Sequence, residues 1–407
     1  MSKEQTLDVF LNELLVGELR EEQNGRTAFR FTAEYLEQSP RPVMSQSFLD
    51  DPGATYAGKL YALPSFFSNL LPDPDGHLRG LIAHQLGVKR HHEFALISAL
   101  GEDLPGAVVL RARQPLMHSA AEEVEPARPR EQGVMRFSLA GAQLKFSMVR
   151  QGKRLTYPSG GRGGNVIVKL PDPDIPYVPE NEYSMMCWAG ACGIDVPEVE
   201  LLPMERVEGL PPSVARTSGY AYVIQRFDRP KEGGRIHIED MAQVFDLPPE
   251  KKDEERHYQH IGRLLVTLPD LHGFEQFVRR LVFMMASGNS DAHLKNWSLV
   301  YPDGVHAQLS PAYDLVSTQV YERFRSARFS QKLVRIREYR EVNLPAFRHF
   351  AEKSGASPDE VERIVLEMVD RIRDEWRTLR TDLPMPDSFK AAIEDHWKEV
   401  PLLSTRS

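Results

Sequence analysis

The chain has 407 residues, of which 41% are hydrophobic and 27% charged, and a formal charge of −8 at neutral pH. This length exceeds one ordinary core and predicts two or three domain-sized units, while the composition excludes a disordered or fibrous protein. The acidic balance argues against a chain that grips nucleic acid through its own phosphate contacts, so any DNA contact is expected to come through a partner.

The N-terminus, MSKEQTLDVF, lacks a signal-peptide pattern. No later stretch approaches the roughly 20 apolar residues that span a bilayer, which predicts a cytoplasmic protein without a membrane segment. Leu7 to Phe31 alternates apolar and polar residues around Asn24-Gly25, a pair that favours a tight hairpin. From Pro64 to Leu100 the spacing turns helical, with Leu78, Leu81, Ile82 and Leu86 and then Phe94, Leu96, Ile97 and Leu100, completing a small mixed α/β unit.

Arg113 to Arg136 is charged and proline-bearing, which predicts a linker with a boundary near residue 125. Strand-like stretches follow at Met135–Val149, Asn165–Leu170, Val199–Leu202 and Tyr220–Arg226, interrupted by a helix over Glu180–Ala191. The only cysteines, Cys187 and Cys192, lie roughly 140° apart around that helix, so no disulfide is expected between them. After Asp228 helices dominate, at Tyr258–Leu268, Gly273–Ala286, Leu344–Ser354 and Pro358–Leu379. The expectation is an α+β protein in three parts: a unit over 1–125, a strand-rich lobe over 126–227 and a helix-rich lobe over 228–407.

Ser287 to Thr318 carries the chemistry. Gly288 is suited to end a helix in the left-handed conformation. A polar loop runs from Asn289 to Asn296, and strands at Trp297–Tyr301 and Val305–Leu309, joined by Pro302-Asp303-Gly304, return the chain so that Asp314 meets Asp291 and Asn296. Two carboxylates and an amide suit phosphoryl transfer: Asp291 would orient the attacking hydroxyl and accept its proton, and Asn296 and Asp314 would hold magnesium. Such residues also cap turns and start helices, but the order of acid, His293, Lys295, amide and returning acid favours the catalytic use.

Upstream, FSLAGAQLKFSMV encloses Ala140-Gly141-Ala142, where small residues allow backbone N–H groups to approach phosphate oxygens, with side-chain contacts from Ser138, Gln143 and Lys145. An isolated AGA turn is more often a plain hairpin. Lys169 ends an apolar strand, where a lysine either snorkels to solvent or meets phosphates. Glu182, in the next helix, either pairs with Lys169 or serves the helix dipole. Tyr220 to Asp228 turns abruptly polar where the lobes join, as a plain strand end or as a hinge reading adenine, with Phe227 covering the ring.

The motifs SLAGAQLKFSM, VIVKLP, NEY at Glu182, YVIQRFDR, RIHIEDMAQ, NSDAHLKNWSLV and LSPAYDLVST, in this order, resemble the HipA family of bacterial toxin kinases. The resemblance spans most of the chain, more loosely over the first 110 residues or so. It implies a two-lobed, protein-kinase-like fold, ATP and Mg2+ as cofactors, and transfer to a serine or threonine of a protein. Asp291 would then be the catalytic acid, Asn296 and Asp314 the metal ligands, and Lys169 a phosphate contact. Ala140, Gly141, Ala142, Gln143, Leu144 and Lys145 would form the phosphate loop, and Gln225, Arg226 and Phe227 the adenine hinge. His293, Leu294, Lys295 and Asn296 would approach the nucleotide, and Ser138 matches an autophosphorylation position linked to inactivation.

Gln225 departs from the glutamate common in relatives. The family's partners include a helix-turn-helix antitoxin that binds operator DNA, and its targets include aminoacyl-tRNA synthetases. Two other functions fit the same fold: a nucleotide-binding pseudokinase acting as corepressor, and a kinase of a small molecule or lipid. The run Arg323, Arg325, Arg328, Lys332, Arg335, Arg337 and Arg340 is either a solvated face or a lining of the activation segment that meets an acidic or RNA-bearing substrate.

Overall fold

The structure is a computed structural model and describes residues 4–113, 144–151, 154–156, 164–208, 210, 218–253 and 256–404. The expected boundary near residue 125, Ser138 and Ala140–Gln143 lie outside these residues.

Alternation builds the first sheet. Strand β1 (Gln5–Leu11) buries Leu7, Val9 and Leu11 and pairs antiparallel with β2 (Leu14–Glu21). Asn12 takes the turn between them at φ 56°, and the expected Asn24-Gly25 turn, with Gly25 at φ 77°, leads into β3 (Arg26–Phe31). With β4 (Tyr56–Leu60) and β5 (Val108–Ala112) the order is β4-β3-β2-β1-β5. The helical spacing after Pro64 resolves into Ser65–Leu70, His77–Leu86 and Glu93–Leu100, and Phe29, Phe66, Phe67, Phe94 and Ile97 form this unit's own core.

The second sheet has the order β10-β7-β6-β8-β11-β9. Its strands are β6 (Lys145–Gln151), β7 (Arg154–Thr156), β8 (Val166–Lys169), β9 (Val199–Pro203), β10 (Val207–Glu208) and β11 (Tyr220–Gln225). The register sets Lys169 of β8 opposite both Lys145 of β6 and Tyr222 of β11. The helix Val178–Ala191 packs on β9 and β11 of this sheet and also joins the core of the helical lobe through Met185, Met186 and Trp188, where the Trp188 ring lies 4.5 Å from that of Trp376.

That core is organised on the helix Leu271–Ser287, which buries Phe277, Val278, Leu281, Val282 and Met285 completely. The expected helices at 344–354 and 358–379 are present, and a further one, Asp387–Glu399, covers the end of the lobe. A third sheet, β12 (His237–Asp240), β13 (Ser298–Tyr301) and β14 (Gln308–Leu309), contains the expected hairpin with Gly304 at φ 81° in its turn. The whole is α+β and two-lobed, with the N-terminal unit docked on both lobes.

Buried Glu239 fastens part of this docking. Its carboxylate accepts from Ser45 Oγ at 2.5 Å, from the Gln46 N–H at 3.0 Å and from the Tyr301 hydroxyl. Burial pushes this carboxyl up to about 7 against those three donors. A proton held more tightly in the folded state makes stability fall as pH rises from the ordinary glutamate range to about 7. Glu239→Gln, which carries no such proton, is therefore expected to match the native protein at pH 5 and to exceed it by up to about 3 kcal/mol at pH 8 in urea unfolding. Parallel stability at both pH values refutes the assignment.

Candidate active site

The helix Leu271–Ser287 ends as expected at Gly288, φ 65°, whose N–H returns to the Met284 carbonyl. Two ties then fix the loop. Thr318 Oγ1 donates to the Gly288 carbonyl at 2.9 Å and accepts from the Ser290 N–H at 2.9 Å. The Asp291 carbonyl accepts both the His293 N–H at 2.8 Å and Asn296 Nδ2 at 2.9 Å, which folds Asp291–Asn296 into a compact turn. The β13–β14 hairpin brings the chain back through Tyr313, whose hydroxyl donates to the Lys295 carbonyl at 2.9 Å. Asp314 follows at φ 55°. A non-glycine residue in that region costs on the order of 1 kcal/mol and occurs where surrounding contacts enforce it. Contacts flank it on both sides: the Tyr313 bond to Lys295 before it and, after it, Asn181, whose Oδ1 accepts the Ser317 N–H at 3.0 Å and whose Nδ2 donates to the Ser317 carbonyl at 2.8 Å.

Asp314 therefore meets the strand-rich lobe. Lys169 Nζ donates to Glu182 Oε1 at 2.6 Å and to Asp314 Oδ1, with side-chain exposures of 9%, 4% and 30% for the lysine, glutamate and aspartate. Lys169 is paired rather than snorkelling, and Glu182 pairs with it rather than serving only the helix dipole. Burial lowers the lysine's proton affinity, but the two carboxylates outweigh it and hold the ammonium above its ordinary range. Asp314 is the anionic partner: burial raises its carboxyl, and Lys169 with Lys145 pulls it down to about 2. Glu182 is pushed up to about 7 by burial, against the pull of Lys169. Exposed Lys145 beside Lys169 puts two cations on one sheet face, a repulsive arrangement that favours an anion between or above them.

Asp291 differs from Asp314. It is half-buried, and burial, with Asp253, Asp314 and Asp73 nearby, pushes its carboxyl up to about 7 although Lys252 draws it down. A carboxylate poised near neutrality suits a general base. Asn289, Asn296, Tyr313 and Asp314 line one small cavity under the loop. Asn289 Nδ2 and His293 Nδ1 are buried without a hydrogen-bond partner among the described residues.

Several expected contacts are corrected. Arg226 does not face a nucleotide: its guanidinium is buried against Asp228 at 2.8 Å, Asp103 at 3.3 Å and Ser147 Oγ at 3.1 Å, because two carboxylates compensate its desolvation. The hinge N–H groups of Gln225 and Arg226 are already bonded, to the carbonyls of Glu198 and Asn165, and Gln225 Nε2 also donates to Asn165. Phe227 packs against Tyr313, ring centroids 5.9 Å apart. Leu294 is completely buried in the helical core and cannot line a nucleotide site. Lys295 is tied to the N-terminal unit, donating to the Asn69 carbonyl at 2.8 Å and to Asn69 Oδ1 at 3.0 Å, and to Asp240 at 3.1 Å. Leu144 is half-buried against the core of the second sheet.

Lys252 stands in no motif of the sequence, yet it bonds Asp73 of the N-terminal unit at 2.8 Å and accepts the Leu294 N–H on its carbonyl at 3.3 Å. Asn69 and Lys295 lie 226 positions apart, and no local spacing encodes such a pair. Asn181, directly before Glu182 within NEY, was legible only as part of that motif.

Fold and site together define a class: a two-lobed α+β protein in which a buried lysine–glutamate pair from one lobe meets an aspartate beside a second, near-neutral aspartate in the other. The chain belongs to the HipA family, matching the HipA-like C-terminal domain over residues 137–376 and the HipA N-terminal domain over residues 7–111. It is 41% identical to Y4dM of Sinorhizobium fredii over 99% of this chain and 98% of that protein. It is 28% identical, over 79% of this chain and 77% of the relative, to the serine/threonine-protein kinase toxin HipA of Shewanella oneidensis. A solved structure of the Shewanella oneidensis toxin–antitoxin system HipA, HipB and its operator DNA superposes with a TM-score of 0.75 at 23% identity, covering 98% of this chain and 96% of that one. Among the described residues no helix is long and apolar enough to cross a membrane.

Proposed function

We propose that the chain is an ATP-dependent serine/threonine protein kinase that acts as a toxin restrained by a DNA-binding antitoxin. The observation that carries it is the pairing of Lys169 with both Glu182 and Asp314 beside a near-neutral Asp291. Lys169 and Lys145 would hold phosphate oxygens, and Asp291 would orient the acceptor hydroxyl and take its proton. The side chains suit magnesium: Asp314 is ionised, and Asn296 commits its amide nitrogen to the Asp291 carbonyl, leaving its oxygen for a hard cation in the cavity both line. Bound there, magnesium would neutralise phosphate charge. Autophosphorylation at Ser138 and phosphate contacts from Ala140–Gln143 are proposed from the family resemblance. The antitoxin partner is supported by the HipA, HipB and operator DNA complex of the relative, and a cytoplasmic location follows from that partner.

Incubation with labelled ATP, magnesium and cell extract is expected to label serine or threonine of protein. Label confined to small metabolites or lipids, or no label despite ATP binding, overturns this function. The rate should also follow Asp291. Because its proton is held up to about 7, the base is lost on acidification, so kcat/KM for the acceptor is expected to fall about tenfold per pH unit below that value and to level off above it. A flat profile from pH 5 to 8 refutes Asp291 as the base.

A further inference from the structure

The basic run after Asp314 does not lie apart from the site. Residues 329–337 form a hairpin-like loop closed by the Phe329 N–H on the Arg337 carbonyl at 3.1 Å and, near the tip, by two reciprocal bonds of 3.0 Å between Leu333 and Ile336. One edge is stitched to the catalytic loop. The Ser330 N–H donates to the Ser290 carbonyl at 3.1 Å, next to Asp291, and Ser330 Oγ donates to Asp253. The other supports are the Gln331 amide on the Lys252 carbonyl at 2.5 Å and the Tyr258 N–H on the Lys332 carbonyl at 3.2 Å. The loop is thus a fixed wall beside the candidate base.

Its tip is held in a costly shape. Val334 sits at φ 58°, a region that a β-branched side chain strongly disfavours, while Leu333 is anchored with no exposure at all. The turn presents Arg335 to solvent, and among the described residues no acidic group pairs with it. From 323 to 340 there are seven arginines and lysines and one acid, Glu338, in a chain of net charge −8. Glu338 is already engaged by Arg328 at 2.6 Å. The surplus of positive charge is therefore local, and part of it sits on the loop whose Ser330 bonds Ser290, next to Asp291.

We propose that this loop is the acceptor-docking wall and that Arg335 selects substrates carrying a carboxylate near the phosphorylated hydroxyl. Arg335 lies five positions after Ser330, at most about 17 Å of extended chain. An acidic side chain within about five positions of the acceptor hydroxyl would therefore reach it. The charge match would act chiefly on encounter and register and would weaken with salt.

This inference rests on the kinase function proposed above. The test uses the full chain with ATP, magnesium and serine or threonine peptides in which one glutamate is scanned from six positions before to six after the acceptor, with lysine at the same positions as control. At low salt the native protein is expected to favour the best glutamate peptide over its lysine counterpart by about tenfold in kcat/KM. Arg335→Glu is expected to abolish or invert that preference with the KM for ATP unchanged, and Arg335→Lys to keep most of it. Mass spectrometry of labelled extract proteins supplies the same readout on folded acceptors. Transfer that ignores acceptor charge, or a preference untouched by Arg335→Glu, overturns the docking assignment and leaves the kinase function standing. No transfer to any peptide or extract protein by the native chain overturns both.

Discussion

Asp291→Asn is expected to lower phosphoryl transfer by about 10²–10⁴-fold while leaving ATP binding intact and making the fold more stable at pH 8. The loss follows from removing the base. The backbone geometry should survive, because the loop is held by the Asp291 carbonyl and the Thr318 hydroxyl rather than by the Asp291 side chain. The gain in stability follows from linkage. Burial raises this carboxyl to about 7, so the folded state holds a proton that the unfolded chain releases at lower pH, and stability is lost as pH rises through that window. An asparagine carries no charge to desolvate, and a gain on the order of 1–3 kcal/mol at pH 8, vanishing near pH 4, is expected in denaturant unfolding. Retained transfer removes Asp291 from the mechanism. Lost transfer with an equally destabilised fold makes it a structural residue.

Lys169→Met is expected to act in the opposite sense on stability and to abolish transfer as well. The ammonium is shared by Glu182 and Asp314, and without it the buried Glu182 carboxyl is left facing the partly exposed Asp314 carboxylate with no cation between them. Breaking a buried pair from one side costs about 3–5 kcal/mol. Both carboxyls would then bind protons more tightly folded than unfolded, so the deficit should grow as pH rises from 5 to 8. Thermal unfolding across that range and ATP titration measure it, and an unchanged ATP affinity removes Lys169 from the phosphate site. Lys169→Arg keeps the charge but brings a wider, planar group into the position opposite Lys145 and Tyr222, and only part of the function should return.

Much of this was legible in the sequence, and the reasons are local. The alternation of Leu7, Val9 and Leu11, the left-handed stop at Gly288 and the Pro302-Asp303-Gly304 turn depend on neighbours a few positions away, and each stands where its chemistry requires. The order of motifs was sufficient to bring Asp314 toward the loop containing Asp291 and Lys169 toward Glu182. Where expectation failed, at Arg226, Leu294 and Lys295, the residue types suit a nucleotide site, but the side chains are engaged elsewhere: Arg226 with neighbouring Asp228 and distant Asp103, Leu294 in the helical core, and Lys295 with Asp240 and distant Asn69.

The division has one physical origin. Turn conformation, strand alternation and the chemical identity of the ionisable groups are properties of short segments, and the sequence by itself determined them, including the two carboxyls, Asp291 and Asp314, on which the proposed function rests. Which carboxylate stays ionised and which is poised near neutrality depends on desolvation and on charges brought in from other elements. Only the tertiary structure decided that, by setting two lysines of the second sheet against Asp314 and leaving Asp291 among Asp73, Asp253 and Lys252.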